Sequence, residues 1–167
     1  MKKAIILLSA DSQNSKNKFI EEAKKTSWVK NCDPRGFLGS KANGFYWDGE
    51  ENQHYNDFTL EFLDLVNKYF YFEARYLKDK IEKFLSDDYE VKKDRKGKEF
   101  DTSLFVIRNV SKELVNELES EYGVFQVHIS QRDLNANIEL YDTVLYDDDE
   151  NFESEVFRVI NILTKGD

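Results

Sequence analysis

Short apolar runs alternate along this chain with stretches whose apolar residues recur every three or four positions. The first pattern is typical of strands buried inside a sheet, and the second of amphipathic helices. The apolar runs lie at residues 4–8, 104–107, 124–129 and 143–146. The helical stretches lie at residues 16–26, 57–69, 111–122 and 152–163, and a further one follows the second as far as residue 85.

This alternation predicts an α/β fold of the three-layer α/β/α kind, with a mainly parallel sheet and helices on both faces. We find no internal repeat and no composition shift, so residues 1–167 are expected to form a single domain. Residues 31–49 hold four of the seven glycines and the single proline, and we expect a long loop there. Residues 87–101 are dominated by charge and are expected to form an exposed, mobile excursion.

Charge and composition narrow the classes of partner. The net charge is −9 and the sequence pI about 4.9, so phosphate backbones repel the chain and direct nucleic-acid binding is disfavoured. The same charge suits a partner protein with a basic surface, although it also serves solubility. No apolar run approaches the roughly 18 residues that span a bilayer, so no membrane is expected. One cysteine, Cys32, excludes an internal disulfide and favours a cytoplasmic setting.

The stretch AIILLSADSQNSKNKF, residues 4–19, has the outline of a phosphate-binding loop: a buried strand, a polar turn, a lysine and a helix. That motif requires G-x-x-x-x-G-K-[ST]. Anchored on Lys16, its two glycines fall on Ala10 and Ser15, and its hydroxyl falls on Asn17 or, one residue later, on Lys18. Lys16 is therefore either a retained phosphate ligand or an ordinary solvated lysine at a helix start.

Each replacement acts against a bound triphosphate. Alanine at a left-handed glycine position costs on the order of 1 kcal/mol or redirects the loop. Ser15 puts a side chain where phosphates approach the backbone, Asn17 removes the Mg²⁺ ligand, and Asp11 adds repulsion. The sequence predicts weak or no binding of ATP and therefore no resident cofactor.

The sequence gives few signals of a metal site or of catalytic His and Cys residues. No group of Cys, His and carboxylate residues has metal-ligand spacing, so no metal site is predicted. The acidic run Asp147, Asp148, Asp149 and Glu150 lacks the spacing of a calcium loop and is expected to precede a helix, with its carboxylates held outward. His128 lies between apolar strand residues and is expected to be structural, and Cys32 would be a nucleophile only beside a base.

Several segments together resemble a known family. They are Trp47-Asp48-Gly49 before an amphipathic helix, Ile107-Arg108 at a strand end, Gln131-Arg132-Asp133 after the next strand, and Tyr141-Asp142 before the last. In order and spacing the chain resembles the phage- and bacterium-borne P-loop kinases related to deoxynucleoside monophosphate kinases. The resemblance implies a nucleotide-kinase-like fold, with Arg108 and Arg132 as phosphate-binding arginines. Asn109-Val110 depart from it, since the family has Glu-Pro there.

Two hypotheses follow. In the first, the chain is a non-catalytic, phage-type relative of these kinases that binds and modulates or inhibits a host macromolecule, for example a nucleic-acid-binding or defence protein. Its acidic surface, with the run 147–150 foremost, would contact a basic partner. In the alternative, it is a deoxynucleoside monophosphate kinase that transfers phosphate from ATP with Mg²⁺, using Lys16, Arg108 and Arg132, and holding phosphate at Ser15, Lys16 and Asn17.

Overall fold

The fold is described from a computed structural model, which covers residues 1–42, 53–132 and 137–165. Its main sheet has five strands in the order β2-β5-β1-β6-β7, and every neighbouring pair is parallel. The strands of this sheet are β1 Lys2–Ala10, β2 Trp28–Cys32, β5 Thr102–Arg108, β6 Phe125–Ser130 and β7 Thr143–Tyr146. The four predicted strands are thus confirmed, and β1 lies at the centre with β5 on one side and β6 on the other.

Helices cover both faces of the sheet because successive strand residues point to opposite sides. On one face, Ile6 and Leu8 of β1 pack with α1 and α6. On the other face, Ile5 and Leu7 pack with α4 and α5. The helices are α1 Gln13–Lys24, α2 Pro34–Ala42, α3 Gln53–Phe70, α4 Phe72–Leu85, α5 Lys112–Tyr122 and α6 Phe152–Thr164. The predicted three-layer α/β/α arrangement is confirmed.

The ends of two helices follow from local chemistry. Ser12 is the N-cap of α1, so that helix begins three residues before the predicted start at residue 16. Gly123 ends α5 with φ +61°, a left-handed conformation that glycine adopts without steric cost, as the sequence predicts.

The prediction of a loop at residues 31–49 is wrong for its described part. Residues 28–32 form β2, and residues 34–42 form α2. β2 is an edge strand with exposed Lys30 and Asn31, so it lacks the apolar run that marks the inner strands. Residues 43–49, with the Trp47-Asp48-Gly49 segment, lie outside the described residues.

The charged segment at residues 87–101 contains a small antiparallel pair, β3 Lys92–Lys93 and β4 Glu99–Phe100. Most of the segment is exposed, as predicted, but Phe100 is buried and meets the Trp28 ring edge-on at 6.4 Å. The Lys3 ammonium also donates to the backbone carbonyls of Leu85 and Asp87. The segment is therefore anchored to the sheet at both of its ends. Among the described residues, no helix has the length and apolarity to span a bilayer.

Candidate functional site

The central feature of the candidate site is the crevice at the carboxyl ends of β1 and β5. The helix after β1 packs on one face of the sheet, and the helix after β5 packs on the other. In open α/β sheets, ligands bind where neighbouring strands send their connections to opposite faces. Arg108 is the last residue of β5, Asn109 follows it, and Lys16 lies in the first turn of α1, so the three residues lie at this point.

The turn between β1 and α1 does not form a phosphate cradle. β1 ends at Ala10 and α1 begins at Gln13, which leaves two residues for the turn. The Ser15 amide donates to Ser12 Oγ at 3.1 Å, and the Lys16 amide donates to the Ser12 carbonyl at 3.4 Å. Two of the backbone N–H groups at the start of α1 are therefore already engaged within the helix.

A carboxylate of the protein itself lies at the start of α1. The Ser15 hydroxyl donates to Asp147 Oδ2 at 2.6 Å, and the Lys18 ammonium lies 3.8 Å from the same oxygen. The Asp147 side chain is only 5% exposed, so the expectation that it projects outward is wrong. Because the N-terminal end of a helix attracts anions, the Asp147 carboxylate is favourably placed beside the first turn of α1, and it would repel a phosphate there.

The rest of the acidic run forms a turn around Arg132. The Arg132 guanidinium bonds Asp149, and its backbone amide lies 3.4 Å from the Asp148 carboxylate oxygens. The hydrogen bond from the backbone amide of Asn151 is the main cause that lowers the pKa of Asp149, and the hydrogen bond from the Arg132 side chain is the second. Asp148 and Glu150 remain exposed. Arg132 therefore neutralises part of the acidic run and lies on the surface.

Lys16 is not a freely solvated lysine. Its ammonium donates to Asn109 Oδ1 at 2.8 Å, and the Asn109 amide donates to Asp33 Oδ2 at 2.9 Å. Burial lowers the pKa of Lys16; Arg108 and Arg35 lower it further, and Asp33 opposes them. Asn109 adopts a left-handed φ of 59°, uncommon for a residue with a side chain, which aims its amide at this site.

Lys16 lines a cavity of about 490 Å³ that extends below the crevice. Its walls are mostly apolar, from β1, β5 and α5, and its cations are Lys16, Arg35 and Lys112. No aspartate or glutamate is among the described residues that line it. Within the described part of the chain, the buried Nε of nearby Arg108 also has no hydrogen-bond partner. An acidic protein thus places three cations along one cavity.

Sequence reasoning identified Lys16 and Arg108 but missed the other residues of this site. Arg35 lies in the segment predicted as a loop, and Lys112 lies among helix residues without a motif. Asn17 is exposed, and its carboxamide oxygen accepts from Gln13, so it takes no part in the crevice. Asp133 lies outside the described residues.

Metal binding and catalysis by a nucleophilic thiol have little support in the described part of the chain. In the described ranges, no three His, Cys, Asp or Glu side chains group as a metal site would require. Cys32 is buried, and burial raises the pKa of its thiol, which disfavours the nucleophilic thiolate.

Comparison with known proteins gives no assignment. No family model, no curated protein and no solved structure matches this chain.

Proposed function

We propose that this chain is a nucleotide-kinase-like protein that has lost phosphoryl transfer and acts by binding another macromolecule. The observation that supports this most strongly is Asp147 at the start of α1. Its carboxylate accepts a hydrogen bond from the Ser15 hydroxyl and pairs with Lys18 beside the first turn of α1. A triphosphate held at this helix end, as in a P-loop, would be repelled by that nearly buried carboxylate.

ATP and Mg²⁺ do not fit the residues present. The turn holds only two residues, and the position of the Mg²⁺-binding hydroxyl holds the exposed Asn17. The Lys16 ammonium already donates to Asn109, and both residues line the 490 Å³ cavity. We therefore propose no step that involves ATP.

The first prediction is that ATP with Mg²⁺ leaves the melting temperature unchanged. A ligand at a hundred times its Kd stabilises by about 2.7 kcal/mol, which corresponds to roughly 5–10 °C for a domain of this size. Differential scanning fluorimetry at millimolar ATP measures this shift directly. A Mg²⁺-dependent rise that Lys16→Ala abolishes would contradict the proposal and support the kinase alternative.

The partner that fits best is a protein with a basic surface. The net charge of −9 attracts such a surface from a distance and repels nucleic acid. The phage-type origin that the resemblance implies makes a host protein the candidate target. In the acidic run, Asp148 and Glu150 are the exposed members that could make contact, whereas Asp147 is paired internally.

The second prediction concerns that contact. The double variant D148N/E150Q is expected to slow association with a partner captured from the source cell or its host, because exposed charges steer encounter. The slowing should fade at physiological salt, where the Debye length is about 8 Å. Stopped-flow or surface-based binding rates across a salt series measure it. Asp147→Asn is the matched control and should leave the association rate unchanged. Equal slowing by both variants would refute the assignment of the contact to Asp148 and Glu150.

A second candidate function is the binding of a small anionic ligand of the nucleoside monophosphate type in the cavity. The cavity cations Lys16, Arg35 and Lys112, with no carboxylate among the described lining residues, favour it. The unpartnered Nε of Arg108 adds a buried donor beside them. Guanidinium and ammonium groups are the usual ligands of a phosphate monoester.

The third prediction tests this candidate with a panel of nucleoside monophosphates in isothermal titration calorimetry. Lys16→Ala and Arg35→Ala should each weaken binding about tenfold or more, since each removes a charge-assisted hydrogen bond. Lys18→Ala, an exposed lysine outside the cavity, is the control. Because the pKa of Lys16 is lowered, affinity should fall with rising pH earlier than an exposed lysine would allow. Equal affinity in all three variants would exclude the cavity as the site.

A further inference from the structure

Ser9, His128 and Asp11 form a hydrogen-bonded chain across the carboxyl ends of β1 and β6. Ser9 and His128 are direct partners in the parallel register of these two strands. Ser9 Oγ lies 2.8 Å from His128 Nδ1, and His128 Nε2 lies 3.2 Å from Asp11 Oδ1. A serine, a histidine and an aspartate in this order are the groups of a nucleophile, a base and a residue that orients the base.

The hydrogen bonds around the imidazole select one arrangement of protons. A carboxylate accepts but does not donate, so in the neutral imidazole Nε2 carries the proton toward Asp11 and Nδ1 accepts from the Ser9 hydroxyl. The Ser130 hydroxyl donates to the other Asp11 oxygen at 2.6 Å and fixes the carboxylate. The Tyr141 ring stacks on the imidazole at 4.4 Å and 14°, which fixes the ring plane.

The nucleophile has access to a ligand. His128 is 7% exposed, whereas Ser9 is half-buried and lines the 490 Å³ cavity, together with Tyr141. The cavity wall beside Ser9 is apolar, with Leu7, Ile107 and Val115, and cations lie at Lys16 and Lys112. A ligand with a short apolar segment and one negative charge matches both parts of this lining.

We propose that Ser9 is the nucleophile of a hydrolytic site for small anionic carboxylic esters, with His128 as its general base and Asp11 as a positioning residue. This goes beyond the proposed binding function and does not depend on it. The carboxamide of Asn116 and the ammonium of Lys112 line the same cavity and are the donors available to a developing oxyanion.

The reaction balances with water as the only co-reactant. Ser9 Oγ adds to the ester carbonyl carbon while its proton moves to His128 Nδ1. The tetrahedral intermediate then expels the alcohol, which takes the proton from Nδ1 and leaves an acyl group on Ser9. A water molecule, deprotonated by the same nitrogen, attacks this acyl group, releases the carboxylic acid and returns the proton to Ser9.

The test uses the whole chain and two probes. A fluorophosphonate should label Ser9, and peptide mass spectrometry locates the adduct. The chain should hydrolyse mono-para-nitrophenyl succinate faster than neutral para-nitrophenyl butyrate, because the cavity carries cations. Ser9→Ala should abolish both labelling at this position and turnover, and His128→Gln should slow both by about 100-fold or more. Asp11→Asn should slow labelling while leaving Ser9 the labelled residue.

The matched control is Ser120→Ala, which removes an exposed serine of α5 and should change neither readout. Labelling of the unmodified chain needs no variant to fold, so it decides the question by itself. An unlabelled Ser9 would overturn the proposal, and the three side chains would then have only a structural role, as hydrogen bonds that connect β1 and β6. Faster turnover of the neutral ester would overturn the assigned substrate class.

Discussion

Replacing Phe105 by alanine is expected to lower the free energy of unfolding by about 3–5 kcal/mol. Phe105 is fully buried in β5, beside the central strand, and its ring stacks on Phe84 of α4 at 5.3 Å and 21°. Truncation removes its apolar surface and leaves a void that the parallel sheet cannot close. Since domains are stable by only about 5–15 kcal/mol, much of the stability of this chain would be lost.

Urea unfolding followed by circular dichroism measures this change as a lower midpoint. Phe157→Ala is the matched control, because that ring lies on α6 and is 49% exposed. Its expected cost is below about 1 kcal/mol, as for other surface substitutions. Comparable losses in the two variants would show that the cluster containing Phe84 and Phe105 does not act as a close-packed core.

Replacing Glu73 by alanine is expected to destabilise the fold by about 2–4 kcal/mol, mainly through the loss of hydrogen bonds. The Glu73 side chain is 2% exposed and accepts hydrogen bonds from the backbone amide of Ser111, at 2.7 Å, and from the Ser111 hydroxyl. The side-chain amide of Asn67 lies 3.4 Å from Oε2, the oxygen that also accepts the Ser111 hydroxyl. The carboxylate thus joins the end of α3 and the start of α4 to the start of α5, and its loss leaves the part-buried Ser111 amide without an acceptor.

Ser111 is the N-cap residue of α5, as predicted, but its hydroxyl makes no capping bond and donates to Glu73. The control is Glu113→Ala, which removes an exposed carboxylate from the first turn of the same helix. We expect that change to cost less than about 1 kcal/mol, the usual size of a helix-dipole term. Thermal unfolding of both variants separates the two roles, and equal melting temperatures would contradict a structural role for Glu73.

The layers of the fold could be predicted because their signals are local. Residues 4–8 and 104–107 are apolar on both faces, and only inner strands of a covered sheet need that pattern. β2 was missed for the opposite reason. It pairs on one side only, with β5, and carries exposed Lys30 and Asn31, so its sequence does not differ from that of a loop.

The candidate site was predicted only in part, because its contacts join distant segments. The sequence shows that the phosphate loop is degraded, but the bond from Ser15 to Asp147 spans 132 residues and leaves no trace in spacing. Asp147 therefore looked like the first of four outward charges. In the same way, His128 looked structural because the residues bonded to it, Ser9 and Asp11, lie almost 120 positions earlier.

The central position of β1 has a consequence for how the chain folds as it is made. β1 is synthesised before the other strands of the sheet, yet its neighbours β5 and β6 begin at Thr102 and Phe125. At ordinary translation speeds of about 5–20 residues per second, roughly 5–20 s pass before the first of these partners is complete. Throughout that interval the apolar run at residues 4–8 has no strand to pair with. The nascent chain is therefore expected to depend on chaperones that hold its N-terminal segment until the ribosome has passed β5.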